Sequence, residues 1–235
     1  MTALYRILLR TSVTRGRLLA FIAVGALLDL IGYAIRVSDY AHREVDAFLL
    51  LDVAALALYV PVVALVFSTS SLGDLASDGT LVYIWLRPVA RWKVVLVAMA
   101  ATFTVTLPLA VAPSVLVVWL AGASWQLMWA VTAATALATG AYVAVFTGFG
   151  LRVRHALIFG LGYVVIWEAG IASIGKGPAA ISIRHYAEGL LGHLSNQTLP
   201  GVDQAGQWPS LIILGAVVVA GFVLTTLLLV RQDVA

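Results

Sequence analysis

Residues Ser68 to Lys93 read STSSLGDLASDGTLVYIWLRPVARWK, a polar interruption between two long apolar runs. Almost everything around it is soluble in a bilayer. The 235 residues are 62% hydrophobic and 11% charged, with a mean hydropathy of +1.03, which leaves far too little polar surface to cover a water-soluble globule. Crossing a hydrocarbon core about 30 Å thick takes a helix of roughly 20 apolar residues. Runs of that length recur here without the alternation of barrel strands, so the fold class is all-α and polytopic. No cysteine is present, which removes disulfides and thiolate metal sites from consideration. The first strong apolar run begins near Leu18 without a small-residue cleavage site after it, and it is read as a retained span.

In chain order, Met1 to Arg17 places Leu4, Tyr5, Leu8 and Leu9 on one side of a helix, with Arg6 and Arg10 on another. That pattern predicts an amphipathic helix lying in the membrane interface, either a charged anchor or a part that couples motions. The remainder, 18–235, is one transmembrane domain of six expected spans. These are Leu18 to Ile35, Ala47 to Phe67, Val94 to Leu120, Trp125 to Phe149, His155 or Ala156 to Ala172, and Leu211 to Val230. Pro108 and Pro113 should kink or partly unwind the third, and a tight Gly122-Ala123-Ser124 turn should lead into the fourth. Thr132, Thr135, Thr139 and Gly140 give the fourth a small-residue face suited to close packing. The polar segment 173–209 is expected outside the membrane, with Ile183, Tyr186, Leu190 and Leu194 able to line one helical face that dips back into the interface.

Lys and Arg fix the orientation. With a cytoplasmic N-terminus the inner side holds Arg6, Arg10, Arg15, Arg17, Arg87, Arg91, Lys93, Arg152, Arg154 and Arg231, against Arg36, Arg43, Lys176 and Arg184 outside. Both termini and Ser68 to Lys93 are then cytoplasmic, and the net charge of +3 is accounted for without nucleic acid. Trp119, Trp125, Trp129, Trp167 and Trp208 fall near the outer boundary, Trp85 and Trp92 near the inner one.

Inside that loop, Ser71 with Asp74 reads as a capping box that starts a short helix, with Leu72 and Leu75 among its first residues. Gly79 permits a turn, and Pro88 stops any helix before Arg91. Asp78-Gly79-Thr80-Leu81 followed by Leu86-Arg87-Pro88-Val89-Ala90-Arg91 resembles the acidic-Gly-Thr-Leu…Pro-hydrophobic-x-Arg signature of ABC transporter permeases of the type-2 exporter class. The amphipathic N-terminal helix, the six spans and the external segment with His185-Tyr186-Ala187-Glu188-Gly189 extend the resemblance over most of the chain. One departure is Asp78, where many members carry Glu in a longer charged run.

The resemblance implies a cytoplasmic coupling helix near Ser71 to Thr80, docked on a separate ATP-binding subunit present in two copies, with a second permease subunit completing the path. ATP and Mg would sit on that partner, and this subunit would itself be non-catalytic and bind no cofactor. It implies export of a hydrophobic or amphipathic, drug- or lipid-like substrate across a bacterial plasma membrane. The chain's own residues agree with that division of labour, because they contain no G-x-x-x-x-G-K-[ST] phosphate loop. The other reading of the loop is an ordinary solvated connection. Gly148-Phe149-Gly150 and Gly160-Leu161-Gly162 are read as helix-packing glycines.

Asp29, Asp52 and Glu168 form a second constellation, on three spans but all within roughly two turns of the outer surface. Charges there demand water or a partner, and Arg36 is a candidate for Asp29. They are either an outer polar vestibule or proton site, or side chains that reach headgroups and bond between helices. An ion-coupled carrier or membrane enzyme using these acids directly is the alternative to the ABC reading. His42, His155, His185 and His193 divide between the two sides and predict no metal site. Asn196-Gln197-Thr198 is formally a glycosylation sequon on the outer side, a reading that a bacterial membrane makes void.

Overall fold

A computed structural model describes residues 2–38, 43–77, 90–173, 176–196 and 205–231, and every element in them is helical. The elements are α1 Thr2–Ser12, α2 Arg15–Val37, α3 Arg43–Leu50, a π-helical stretch Leu51–Tyr59, α4 Val60–Ser77, α5 Arg91–Ala121 and α6 Trp125–Arg152. After them come α7 Ala156–Gly162, a second π-helical stretch Tyr163–Glu168, a 3-10 turn Ile171–Ser173, the short α8 Lys176–Ala179, α9 Ile183–Ser195 and α10 Gln207–Arg231. Five helices are long and apolar enough to cross a membrane: Arg15–Val37, Arg43–Gly73, Arg91–Ala121, Trp125–Arg152 and Gln207–Arg231.

The expected fifth span is shorter than its sequence suggested. Its continuous helix runs only from Ala156 to Glu168, about 20 Å at 1.5 Å per residue, and then turns at Ala169 and Gly170 into a single 3-10 turn at Ile171–Ser173. The amphipathic N-terminal helix also ends early. It stops at Ser12, and Arg15 to Arg17 begin α2 instead. Its apolar face is the one the spacing predicts: Leu8 is fully buried, and Leu4, Tyr5 and Leu9 pack against the core, with the Tyr5 hydroxyl donating to Thr104 Oγ1 at 2.9 Å.

Close contacts fix the direction of each helix. Arg91 Nη1 donates to the carbonyls of Leu229 and Val230 at 3.4 and 2.6 Å, so the start of α5 and the end of α10 share one end of the bundle. A Cβ on Gly73 would come 2.9 Å from the Gly150 carbonyl, which brings the ends of α4 and α6 to that same end. The described basic residues gathered there are Arg15, Arg17, Arg91, Lys93, Arg152, Arg154 and Arg231, and we call it the basic end. At the opposite end Glu44 Oε1 accepts from the Ser124 backbone N–H at 3.1 Å, and Gln126 Nε2 donates to the Leu194 carbonyl at 3.0 Å. Exposed Trp119, Trp125, Trp129 and Trp208 ring this second end, as an interfacial aromatic belt does.

Small residues permit the tightest crossings. Gly221 packs on the backbone of Ala144 and Gly148 on Thr225, two contacts that advance together along both helices, so α6 and α10 run parallel. Gly160 packs on the Leu65 side chain. On the small face of α6, Thr135 and Thr139 are inaccessible, Gly140 lies against Phe103 and Val218, and Thr132 is half-buried. Gly122, at φ +71, ends α5 in a left-handed cap, and Ser124 starts α6 by accepting from Leu127 N–H, which realises the expected tight turn.

Helix α5 runs unbroken through Pro108 and Pro113. Pro113 has no N–H for the Leu109 carbonyl one turn back, and the Tyr59 hydroxyl fills that place, donating to Leu109 O at 3.0 Å and to Phe21 O at 3.1 Å. A neighbouring helix thus supplies the donor the proline removed.

Candidate functional site

Two places matter: the approach to the sequence motif at the basic end, and a buried charged cluster near the other end.

Ser71 does not start a helix. It lies inside α4, 1% exposed, and its hydroxyl donates back to the Ser68 carbonyl at 2.8 Å. Thr69 and Ser70 do the same to Leu65 and Val66 at 2.7 and 2.9 Å. Back-bonding of this kind lets a serine- and threonine-rich stretch continue a helix whose hydroxyls have no water to turn to, so the second membrane helix runs on to Ser77. Leu72 is fully buried as well, and Asp74 and Leu75 continue the same helix. Asp78, Gly79, Thr80, Arg87 and Pro88 lie outside the described residues. Arg91 begins α5 and ties it to the last turn of α10.

Two of the three predicted acids are brought together, and the residue that joins them is one the sequence reading placed only in a count of outer charges. Arg184, in the first turn of α9, grips Asp52 with two bonds, Nε to Oδ1 at 3.1 Å and Nη2 to Oδ2 at 2.6 Å. The pair is well buried, with side-chain exposures of 13% and 7%. Burial makes this paired, bidentate geometry necessary, because an isolated charge at this depth has no water to solvate it.

Glu168 is fully buried and accepts from four donors: Tyr163 Oη at 2.7 Å, Ser182 Oγ at 2.5 Å, Ile183 N–H at 3.2 Å and Arg184 N–H at 3.2 Å. The last two are orphan amides of the first turn of α9, and Ser182 is its N-cap, accepting in turn from His185 N–H at 3.3 Å. A carboxylate is thereby held at the positive end of a helix dipole, the arrangement that a buried anion and a buried helix start both need. Arg184 Nη1 also approaches the Glu168 carbonyl oxygen at 3.5 Å.

Glu188, one turn along α9 from Arg184, is 7% exposed and feels the charges of both Asp52 and Arg184. It was legible only as an i, i+4 partner of Arg184. Two carboxylates, Asp52 and Glu188, therefore act on one guanidinium, while that of Glu168 holds the backbone beside it. Both π-helical stretches belong to this cluster, one carrying Asp52 and the other Tyr163 and Glu168; such widened turns are rare and recur at specialised sites.

Asp29 stands apart. Its Oδ1 is buried without a hydrogen-bond partner. Arg36 does not pair with it; the aliphatic stem of Arg36 lies instead beside Gly122. Among the described residues no group of three or more His, Asp or Glu side chains could hold a metal ion.

Chemically, the Asp52–Arg184–Glu168 cluster is a lock: both carboxylates are bonded to groups of the first turn of α9, and together they fix the start of α9 against helices of the bundle. No protein-family model matches this chain, and no curated protein is detectably similar to it.

Proposed function

We propose that this chain is the membrane-spanning permease subunit of an ATP-driven ABC exporter of the type-2 class, moving a hydrophobic or amphipathic substrate out of the cytoplasm or the inner leaflet. The observation that supports it best is the path of the second membrane helix. From Arg43 to Ser77 it runs the length of the bundle and ends at the basic end, where Arg91 starts the next helix. The residues between, Asp78 to Ala90, are those whose sequence resembles the coupling signature of that class. By the positive-inside rule the basic end is cytoplasmic, which puts the signature on the side of an ATP-binding partner.

The parallel course of α6 and α10 supports a sixth crossing. The end of α6 and the start of α10 lie at opposite ends, so residues 153–206 have to traverse the membrane between them. We read Ala156–Glu168 and α9 as two halves of a discontinuous crossing, joined where Glu168 caps α9, because irregular backbone at membrane depth needs its polar groups satisfied by protein. Two such subunits with two ATP-binding subunits complete the transporter, and ATP and Mg belong to the latter.

The alternative, an ion-coupled carrier or membrane enzyme acting through Asp29, Asp52 and Glu168, has less in its favour. Asp52 and Glu168 are engaged in holding α9, and Asp29 is not with them. Gentle extraction of the tagged protein should bring down an ATP-binding subunit, and vesicles containing the complex should move an amphipathic dye only with ATP. Asp74→Arg should abolish ATP-driven movement while membrane insertion and yield stay normal. Transport that persists without ATP, from a preparation with no ATP-binding partner, would sink the reading.

A further inference from the structure

At the basic end a cleft of about 500 Å³ opens between α2, α4, α6 and the turn into α7. Its floor is a backbone contact: a Cβ on Gly150 would come 2.6 Å from Thr69 Cα, so α4 and α6 touch there and close the bottom. The floor hydroxyls of Thr69 and Ser70 already donate to helix carbonyls and offer no donor to a ligand.

The donors come from the walls. Arg17, Arg152, Arg154 and His155 line the cleft, and among the described residues no carboxylate lines it with them. Among the described residues none of these three arginines forms an ion pair, whereas Arg184 is matched by Asp52 and Arg91 by two helix carbonyls. Three arginines lining one cleft concentrate positive charge that an anion would offset. Guanidinium forks match the oxygens of a phosphate, with two parallel bonds from each. Next to the charges the lining becomes apolar, with Leu157 and Ile158 42% and 72% exposed on the outside of the bundle, where acyl chains lie.

We propose that this cleft binds the phosphate-bearing headgroup of an anionic phospholipid, with the guanidiniums on the phosphate and the acyl chains along Leu157 and Ile158. A lipid fits better than free phosphate because charge and apolar wall are continuous. The site is independent of the exporter reading, since it needs only a bilayer at the basic end.

The test is native mass spectrometry of the intact protein released from micelles titrated with phosphatidylglycerol, phosphatidylcholine or inorganic phosphate. The wild type should retain phosphatidylglycerol in preference to phosphatidylcholine. The double variant Arg152→Gln/Arg154→Gln should weaken that retention roughly 30-fold, about fivefold for each basic residue near the surface. Arg36→Gln, at the other end, should leave it unchanged. Arg17→Gln, on a different helix, should weaken it too, and keeps the test open if the double variant fails to fold. Equal retention of the two lipids, an undiminished signal in both cleft variants, or an equal loss in Arg36→Gln overturns the proposal. So does inorganic phosphate displacing phosphatidylglycerol at matched concentration, which would make the cleft a soluble-anion site.

Discussion

Removing one partner of the Asp52–Arg184 pair should be as damaging as removing both, or more so. At 7% and 13% side-chain exposure, each partner left alone is a buried charge, and breaking such a pair typically costs about 3–5 kcal/mol. Neutralising both in Asp52→Asn/Arg184→Gln leaves no unmatched charge from the pair, so the double variant should be no worse than the poorer single. The coupling energy is then about 3 kcal/mol or more. The two singles should also differ. After Asp52→Asn, Arg184 still has the charge of Glu188 one turn away; after Arg184→Gln, Asp52 and Glu188 face each other as like charges with the guanidinium gone. Arg184→Gln should therefore be the worse of the two. Reversible unfolding in mixed micelles, followed by tryptophan fluorescence across the four proteins, measures the cycle. Additivity within about 0.5 kcal/mol, or a larger loss in Asp52→Asn than in Arg184→Gln, would show that the lock described above does not exist.

Three further outcomes are expected. Glu168→Gln keeps the size of the side chain but turns an amide N–H₂ toward groups that donate; it should destabilise by about 2–4 kcal/mol, and hydrogen exchange should rise in 183–195 while that of α6 stays as it was. Tyr59→Phe should cost about 1–3 kcal/mol by leaving the Leu109 carbonyl unpaired, and Pro113→Ala, which restores a backbone N–H, should recover most of that loss in the same protein. Gly150→Ala should be destabilising in unfolding assays because its methyl meets the Thr69 backbone at 2.6 Å, whereas Gly162→Ala, with nothing within 4 Å, should be close to neutral.

Features that depend on local composition were legible in the sequence. Five long apolar runs are membrane-length helices, Gly122-Ala123-Ser124 is the tight turn, and Gly148, Gly150 and Gly160 pack helices, whereas Gly162, expected to do the same, has nothing within 4 Å. The N-terminal face of Leu4, Tyr5, Leu8 and Leu9 needed only the helical period. Where the reading failed, the deciding interaction was remote or the local rule was ambiguous. Ser71 with Asp74 fits a helix start, but a serine inside a buried helix can satisfy itself on the preceding turn, and only burial distinguishes the two. Arg184 and Asp52 are 132 residues apart, and Tyr59 answers a proline 54 positions on, partnerships that no local pattern announces. The shortened helix at Glu168 was hidden because apolar composition continues to Ala172, past the point where the chain turns.

The π-helical stretch Leu51–Tyr59 explains how one helix serves two sites. In an α-helix seven residues make almost two whole turns, so positions 52 and 59 would point the same way. With bonds running five residues back, as from Val60 N–H to Ala55 O, each turn takes more residues, and seven fall well short of two turns. Asp52 therefore meets Arg184 of α9, while Tyr59 meets Phe21 of α2 and Leu109 of α5. Pro61 follows at once, where its missing N–H falls at the change from one bonding pattern to the other, so the sequence supplies a local reason for the register to shift there. The second stretch, Tyr163–Glu168, ends in the same way: Ala169 N–H bonds to Val164 O, and the chain then leaves the helix with Glu168 aimed at the start of α9. In both places a widened turn aims a buried carboxylate at α9, one at its arginine and one at its free amides. The helix that holds α9 through Asp52 is the same one that reaches Ser77 at the basic end, so the lock on α9 and the approach to the sequence motif are two ends of a single continuous rod.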